Sequence, residues 1–362
     1  MCRILFLIYI LFAVSTVYAA PHSSDSSKVK RNSVFGFPVI FYSPETRWGY
    51  GAAGIWAFHF KQDSIGSRPS RIQLGFAYTQ NKQVLLYLPF QLYFKNSFYS
   101  VYGELGYYRY FYNFYGIGNN QPPEFKETYG VTFPRIRINA LRKIKPNLYA
   151  GLRYWYENFS INSLDSMGQL AKENITGNKG GITSGAGVVI NYDNRNNSFS
   201  PSKGSYIESA VQYFGPGLGS EYEYIRIMTD ASIYFHTWKN QVLALNFFGE
   251  TLVGDPPFNQ LALLGGTKRM RGYYEGRYRD KNLLLFQTEY RIPLFWRIGM
   301  VLFGGLGEVN NKISNYTFND IHYNYGTGLR FMLDKNEKIN IRLDAGFGKE
   351  TSGYYLTIGE AF

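Results

Sequence analysis

The chain contains 362 residues with a formal net charge of +12 at pH 7, and its mean hydropathy is slightly negative at −0.25. Aromatic residues are unusually frequent, with 33 Tyr, 29 Phe and 5 Trp, whereas charged residues make up only 18%. A disordered chain would lack these aromatic residues. A helical membrane protein would contain apolar runs of about 20 residues, and none occurs beyond the N-terminus. An all-β protein remains, either a soluble sandwich or a transmembrane barrel.

The first 20 residues have the pattern of a secretory signal peptide. Arg3 precedes an apolar core, and small residues end the segment at Ala20. The only cysteine, Cys2, lies inside this segment, so the exported chain would contain neither a disulfide nor a cysteine metal site. Residues 21–33 are predicted to be a flexible periplasmic leader, followed by a single barrel domain over residues 34–362.

Apolar and polar residues alternate through most of the chain, in segments of about ten residues separated by turn-forming residues. From Ile339 to Phe347, apolar residues occupy the odd positions and Asn, Arg, Asp and Gly the even ones. A period of two separates these classes onto opposite faces of a strand but scatters them around a helix. Outer-membrane barrels show this alternation and an even number of strands. We therefore predict an all-β fold, a 16-stranded antiparallel transmembrane β-barrel, with strands near residues 35–43, 47–60, 70–81, 83–94, 98–112, 127–141, 146–158, 181–193, 204–214, 221–237, 240–251, 282–292, 297–309, 321–334, 338–348 and 353–362.

Connection lengths alternate in phase with this strand count. Most connections after even-numbered strands are tight, with long exceptions at 61–69 and 194–203. Several connections after odd-numbered strands are long: 113–126, 159–180, 252–281 and 310–320. Because barrels combine short periplasmic turns with long external loops, the second group is predicted to be external.

Aromatic residues concentrate near the ends of predicted strands, as at 107–112 and 154–156. This distribution favours aromatic girdles at head-group depth. An aromatic soluble core is the alternative, but it would need hydrogen-bond partners for many buried tyrosines. The chain ends in Phe362, after alternating apolar residues, and a terminal Phe on such a strand is predicted to be the terminal signal of a barrel.

The long connection 252–281 contains a glycine- and arginine-rich motif, Gly265-Gly266-Thr-Lys-Arg-Met270-Arg271-Gly272-Tyr273. This motif resembles the G-G…[VIM]-R-G-[FY] signature in the sixth external loop of the BamA/TamA superfamily of outer-membrane assembly and translocation barrels, also described as the bacterial surface antigen family. The strand count places the motif in the same loop here.

Two further segments carry the resemblance, which covers nearly all of residues 35–362. The segment with Asp193, Arg195, Pro201 and Gly204 is similar to the family's periplasmic turn after strand eight. The segment 41–51 is close to the family's opening hairpin.

The resemblance implies an inward-folded sixth loop in which Arg271 pairs with acidic residues in the lumen. Because a buried guanidinium needs acceptors in fixed positions, Glu289 on the twelfth predicted strand is the expected partner. The thirteenth strand departs from the family, since it has Gly at the usual acidic position and Glu308 as its nearest carboxylate. We call the pairing of Arg271 with acidic residues of the barrel wall the clamp. Because one of the usual acidic residues is missing, the clamp is expected to be monodentate or rearranged. Arg271 would act mainly as a pin for the loop, and through the loop it would influence the pore and its lateral seam; direct contact of Arg271 with a substrate is the alternative.

Family members usually carry periplasmic POTRA domains before the barrel, whereas only a short leader precedes the first predicted strand here. The chain is therefore expected to belong to a short, POTRA-lacking branch. Either a separate periplasmic or outer-membrane accessory protein supplies that module, or the barrel performs a narrower task.

Nothing in the sequence indicates a catalytic, cofactor or metal site. His22, His59, His236 and His322 are isolated and lack metal-ligand spacing. The glycine-rich segment 215–219 precedes a predicted strand instead of the helix that a phosphate loop requires. No serine nucleophile-elbow motif occurs. We therefore expect no enzyme activity and no cofactor, outer-membrane lipids as partners, and no nucleic acid, because the basic residues are spread along the chain.

The leading hypothesis is a barrel of the bacterial cell outer membrane that assists the insertion or translocation of proteins, or of lipids. The alternative is a passive channel or structural barrel that keeps the fold without insertase activity. An enzyme built from residues scattered in sequence is a third class.

Overall fold

A computed structural model describes residues 32–43, 47–64, 67–122, 124–172, 174–317 and 320–362. The predicted signal peptide, most of the predicted leader and part of the opening-hairpin match lie outside these residues. Sixteen strands form one large antiparallel sheet, and two short strands form a separate ribbon. The predicted all-β class and the count of sixteen long strands are confirmed.

The large sheet contains, in chain order, β1 (Asn32–Ser43), β2 (Arg47–Phe58), β3 (Ser70–Thr79), β4 (Val84–Phe94), β5 (Tyr99–Phe114), β6 (Glu127–Lys145), β7 (Leu148–Ser163), β8 (Gly181–Asp193), β9 (Gly204–Phe214), β10 (Tyr224–His236), β11 (Val242–Gly254), β14 (Asn282–Phe295), β15 (Ile298–Asn310), β16 (His322–Asp334), β17 (Ile339–Gly348) and β18 (Thr351–Ile358). The ribbon consists of β12 (Ala262–Leu264) and β13 (Tyr278–Asp280). The described residues also contain one α-helical turn, α1 (Gln169–Lys172), and four short 3-10 turns at Pro216–Leu218, Trp238–Asn240, Phe258–Gln260 and Ile313–Asn315. No helix in this part of the chain is long and apolar enough to cross a membrane.

Some strands differ in length from the sequence prediction. β6 continues to Lys145, beyond the predicted end at 141, because its ladder with β7 continues through a bulge between Lys143 and Lys145. β1 begins at Asn32, inside the predicted leader, because its ladder with β2 already starts there, opposite Phe58. The periodicity located the strands, whereas the ladders determine where they end.

The two faces of each strand differ in polarity, as β14 illustrates. Gln287, Glu289 and Arg291 are buried on the inner face, whereas Phe286 and Leu294 on the outer face are 47% and 48% exposed. Most strands repeat this arrangement, so the interior is polar and the exterior carries an apolar band. This inside-out distribution is the one expected for a barrel with lipid outside and a polar lumen.

The two ends of the sheet carry different connections. The turn end, as we call it, contains the tight connections 95–98, 146–147, 237–241, 296–297 and 335–338, together with the longer 59–69 and 194–203. The opposite end, the loop end, contains the long connections 115–126, 164–180, 255–281 and 311–321, together with the shorter 80–83, 215–223 and 349–350. The start of β1 and the end of β18 both lie at the turn end.

The first and last strands of the sheet form a seam. Within the described residues β1 pairs only with β2 and β18 only with β17, so no ladder joins the two edges. The edges nevertheless approach each other at the turn end. Ser33 of β1 donates a hydrogen bond to Asp334 of β16 at 2.7 Å, and Phe35 and Ile358 pack against one cluster around Ile339. The sheet therefore curls into a barrel in which backbone hydrogen bonds do not join the two strands of the seam.

Candidate functional site

The connection 255–281 folds into the barrel and carries the predicted loop motif at its innermost part. Its ribbon, β12 and β13, narrows to a tip in which Gly265 bridges Arg269. Leu264, Met270 and Tyr273 have at most 1% of their surfaces exposed, and they pack with apolar residues at the start of β14. The loop is therefore a packed plug supported by the barrel wall.

Arg271 is the most deeply placed charged residue of this plug, with 1% of its surface exposed. Its Nη2 donates to Glu289 Oε1 at 2.6 Å, and its Nη1 donates to Asp344 Oδ2 at 2.6 Å. The guanidinium carbon lies 3.5 Å from the centroid of the Phe303 ring. Because two charge-assisted hydrogen bonds fix both position and orientation, Arg271 holds the loop to β14 and β17 at once.

The second carboxylate of this clamp differs from the sequence expectation. It is Asp344 on β17, whereas Glu308 takes no part and accepts a hydrogen bond from Asn310 at 2.6 Å. Glu289 is paired in the ladder with Phe303, and Glu308 lies five residues, about 17 Å, further along β15. Of the two expected arrangements, the rearranged one is present.

Further arginines share the two carboxylates of the clamp. Arg291 Nη2 lies 2.9 Å from Glu289 Oε2, and Arg330 Nη1 lies 2.6 Å from Asp344 Oδ1. Burying one charge alone is costly, but a network in which each charge has opposite neighbours is tolerated. The loop arginine thus completes a network that β14, β16 and β17 already contain.

The loop backbone also lies directly on the backbone of β17. A Cβ added at Gly346 would come within 2.6 Å of the carbonyl carbon and oxygen of Arg271, and one added at Gly272 would come within 2.7 Å of the Phe347 nitrogen. Asn324 Nδ2 donates to the Arg271 carbonyl oxygen at 2.7 Å. Only a glycine on each side allows this contact, which explains the glycine after Arg271 in the motif.

The same part of the loop contacts the last strand. The Gly272 nitrogen donates to the Tyr355 hydroxyl at 2.9 Å, and the Thr351 hydroxyl donates to the Gly272 carbonyl oxygen at 2.9 Å. The Tyr273 hydroxyl donates to the Tyr323 carbonyl oxygen and accepts from the Lys349 nitrogen. The plug therefore braces β18, which forms one edge of the seam.

The predicted turn motif after β8 lies at the turn end, whereas the connection that forms the plug starts from the loop end. Asp193 is 1% exposed, and its two carboxylate oxygens accept from Arg195 Nε and Nη2 at 2.9 Å each. Arg68, from the connection between β2 and β3, also donates to Asp193. Gly204 begins β9 with φ of +101°. Asp193 therefore joins two connections that are 125 residues apart.

The connection 194–203 covers the turn end of the lumen. Phe199 is 3% exposed and packs against Ile55, Ala57 and Ile339, which belong to strands on both sides of the seam. The Pro201 carbonyl oxygen accepts from Arg291 Nη1 at 3.2 Å. The turn motif is thus connected through Arg291 to the carboxylate that binds the loop arginine.

The C-terminal residues do not continue the last strand, which corrects the expectation of a strand over 353–362. β18 ends at Ile358, because Gly359 adopts φ of +87° and turns the chain inward. Glu360 accepts from Arg330 Nε at 2.8 Å, and the main-chain oxygen of Phe362 accepts from Arg291 Nη2 at 2.9 Å. Phe362 packs inside the barrel, near the turn end of β10 and β11, and does not lie on an outer strand face.

The remaining charges of the interior mostly form pairs between strands that are adjacent or next but one in the wall. Arg153 pairs with Glu208, Arg226 with Glu250 and Arg135 with Glu157. Arg137 lies over the Trp155 ring, and Asp230 accepts from Asn246 at 2.7 Å. Each of these charged side chains therefore has an oppositely charged, amide or aromatic neighbour inside the barrel.

The histidines of the described residues are not brought together. His59 contacts Ser67, His236 contacts Asn240, and His322 stacks on Tyr278. No group of three or more His, Cys, Asp or Glu side chains in the described ranges could hold a metal ion. His22 lies outside those ranges.

A curled sixteen-stranded sheet, an arginine-bearing plug and an unzipped seam define a β-barrel with an inward-folded loop. Residues 66–362 match the Omp85 superfamily domain. The chain therefore belongs to the Omp85 superfamily, and the resemblance drawn from the loop motif is confirmed at the level of family and fold. No curated protein matches the chain.

Solved structures with similar folds include BamA and CdiB. BamA from Haemophilus ducreyi lacking POTRA domains 1–3 matches with a TM-score of 0.55 and 15% identity, over 91% of this chain and 70% of that one. CdiB from Acinetobacter baumannii matches with a TM-score of 0.54 and 13% identity, over 91% of this chain and 60% of that one. CdiB from Escherichia coli matches with a TM-score of 0.56 and 9% identity, over 92% and 62%. The chain thus spans less than two thirds of either CdiB chain, and the likeness is one of fold.

Proposed function

We propose that this Omp85-superfamily barrel lies in the bacterial outer membrane and assists the insertion or translocation of proteins through its seam. The observation that carries the proposal is the pair of free edges at β1 and β18, which no ladder joins within the described residues. An unpaired strand edge presents a row of backbone donors and acceptors to an incoming strand. A client strand that pairs with such an edge gains main-chain hydrogen bonds without needing a particular sequence.

The last strand, β18, is held by few backbone hydrogen bonds, which would favour opening of the seam. β18 has eight residues, against sixteen in β5 and nineteen in β6. Its ladder with β17 is correspondingly short, and part of its support comes from the hydroxyl of Tyr355, which binds the plug. A strand held by few ladder bonds is released at lower cost than one inside the wall.

The passive channel is supported less well, because it needs an open lumen. The plug crosses the interior to reach Asp344, and the connection 194–203 covers the turn end. A lateral route at the seam avoids both obstacles. The expected partners, outer-membrane lipids and a separate accessory protein that supplies a periplasmic module, are part of the same proposal.

Site-specific photocrosslinking tests the lateral route. A photoreactive phenylalanine analogue at Val34 or Tyr354, which are 70% and 55% exposed beside the seam, should form adducts with an unfolded barrel client during its insertion into vesicles that contain the protein. The same analogue at Val188, which is 57% exposed on the outer wall, is the matched control. Equal adduct yields at the seam and at Val188 would contradict the proposal.

Locking the seam provides a second readout. Cysteine pairs that join residues 34–39 of β1 to residues 354–358 of β18 should slow client insertion at least about tenfold once oxidised, a change equivalent to about 1.4 kcal/mol in the barrier. Ile207→Cys with Ala231→Cys joins neighbouring strands β9 and β10 and is the control, because those residues are already ladder partners. Unchanged insertion with a locked seam would reject the mechanism.

A further inference from the structure

The outer wall carries a recess near the turn end, about 420 Å³ in volume, over β5, β6 and β7. Its lining residues are Phe94, Tyr99, Val101, Ala140, Leu141, Arg142, Ala150 and Gly151. Val101 is the ladder partner of Ala140, and Arg142 is the ladder partner of Ala150. The floor is therefore made of small side chains. The neighbouring Leu152 is 69% exposed and rises beside it.

Arg142 closes the recess on the side nearer the turn end. The side chain is exposed on the outer face, and its guanidinium lies 5.3 Å from the Phe98 ring. It forms no ion pair within the described part of the chain. A cation held against an aromatic ring, without a carboxylate, is available to an anionic ligand.

The same combination of cation and ring recurs at other turns of this end. Lys95 lies 5.8 Å from the Tyr99 ring, Lys239 lies 4.3 Å from Trp238, and Arg297 lies 5.7 Å from Trp296. Tryptophan and tyrosine with basic residues are typical of the depth at which a membrane protein meets lipid head groups. These turns therefore mark the head-group level, and Arg142 lies at that level.

Exposed charges at the turn end have one sign within the described residues. The exposed basic residues there are Lys61, Lys95, Arg142, Lys145, Lys203, Lys239 and Lys335, and no exposed carboxylate accompanies them. The loop end, in contrast, exposes charges of both signs: the carboxylates are Glu124, Asp165, Glu221, Glu223, Asp255, Glu275, Asp320 and Glu350, and the lysines are Lys82, Lys126, Lys172, Lys179, Lys312 and Lys349. The leaflet around the turn end is therefore the one on which anionic head groups are attracted.

We infer that the recess binds one phospholipid with an anionic head group, taken from the leaflet at the turn end. The inference rests on the proposed membrane location. The head-group phosphate binds the Arg142 guanidinium, and one acyl chain lies over Ala140, about 7 Å further from the turn end on the same strand face. The head group then lies towards the turn end and the acyl chain towards the middle of the barrel wall, which is the orientation of a lipid in that leaflet.

A lipid fits the recess better than a periplasmic protein does. The recess lies on the side wall and has an apolar floor, whereas a soluble partner would meet the end of the barrel, where the lysines are. The site is also separate from the seam, because it lies on β5 to β7 and the seam is formed by β1 and β18.

Native mass spectrometry of the whole barrel in detergent, titrated with dioleoyl phosphatidylglycerol, tests the site. We expect one lipid to bind the wild type, and we expect both Arg142→Gln and the double variant Ala140→Leu with Ala150→Leu to weaken it at least about tenfold. Arg109→Gln is the matched control, because Arg109 is an exposed arginine on the same strand wall but nearer the loop end. Binding to Arg109→Gln should equal that of the wild type.

Three outcomes would overturn the inference. Wild-type binding by the recess-filling double variant would show that no chain occupies the recess. Equal binding of dioleoyl phosphatidylcholine, or of glycerol 3-phosphate without chains, would show that the site does not recognise an anionic lipid. An equal loss of lipid affinity in Arg109→Gln and Arg142→Gln would show that the lipid responds to the net charge of the barrel and not to this site. Crosslinking at the seam is measured independently, so failure here leaves the proposed function standing.

Discussion

The wall formed by β5, β6 and β7 and the seam between β1 and β18 are held together by different means. The wall has strands of sixteen, nineteen and sixteen residues with long ladders on both sides. The seam has strands of twelve and eight residues and no ladder between them in the described chain. Ladder bonds accumulate along a strand pair, so the wall is stiff along its length and the seam is not.

The seam is nevertheless supported, because side chains replace the missing ladder. The plug holds β18 through Tyr355, and the inward-turned tail holds its end through Glu360 and Arg330. Side-chain contacts can be broken one at a time, whereas a ladder opens cooperatively. The comparison shows that contacts which can break individually are concentrated at the seam, which is the part of the barrel that would open in the proposed function.

Loss of the clamp arginine should have the largest effect on this contrast. Arg271→Ala removes one guanidinium from the buried network around Glu289 and Asp344, which keep Arg291 and Arg330 as partners. We expect it to lower the free energy of unfolding by about 3 kcal/mol, the lower end of the cost of breaking a buried ion pair. Urea unfolding followed by gel mobility measures the change. Hydrogen exchange should accelerate in β18 more than in β5 and β6.

Arg109→Ala is the control for the clamp variant, because that arginine is exposed on the outer face. Its effect should stay within about 0.5 kcal/mol. Uniform acceleration of exchange around the whole barrel in Arg271→Ala would contradict the view that the clamp serves the seam.

A methyl group between the plug and β17 should have the next largest effect. In Gly346→Ala the new Cβ would meet the Arg271 carbonyl at 2.6 Å, so the loop backbone must shift, at a cost of about 1–3 kcal/mol. The same unfolding experiment measures the loss. Gly217→Ala is the control, since nothing lies within 4 Å of a Cβ at that position. Equal stabilities of the two variants would show that the plug is not seated on β17.

The smallest effect is expected at the tail, and it depends on pH. Burial raises the pKa of the Glu360 carboxyl, but the Arg330 and Arg291 guanidinium groups lower it more, so the pKa lies below its usual range. A lowered native pKa means that the carboxylate stabilises the fold at neutral pH and loses this contribution as the pH falls through that value. Glu360→Gln should therefore cost about 1.5 kcal/mol at pH 7. The difference from wild type should shrink once the pH falls below the range in which a carboxyl group ordinarily titrates, and a constant difference would refute the assignment.

Much of the fold could be predicted from the sequence because strand alternation is a local signal. The segment around Arg342 and Asp344 shows which side chains face inward without any knowledge of the partner strand. The loop motif was recognisable for the same reason, since Arg271 and its flanking glycine lie together in the chain. The pairing of Arg271 with Glu289 could also be predicted, because only 18 residues separate them and Glu289 lies on the strand that follows the loop.

The second carboxylate could not be predicted in the same way. Whether Asp344 or Glu308 reaches the loop depends on which strands face each other across the lumen, and this is set by strand tilt and stagger around the barrel. The tail was mispredicted because Tyr354, Leu356 and Ile358 continue the alternation up to Gly359. Alternation gives no warning that a glycine with positive φ turns the chain inward.

The clamp also has a consequence for the order in which the chain assembles. Arg271 and Asp344 are 73 residues apart, and four long strands, β14 to β17, have to be in register before the aspartate reaches the guanidinium. Before that point we expect the arginine to remain hydrated, because burying it against Glu289 alone would leave the Nη1 donors without their acceptor on Asp344. We therefore expect the plug to pack into the barrel late in folding, after the carboxyl-terminal strands have paired.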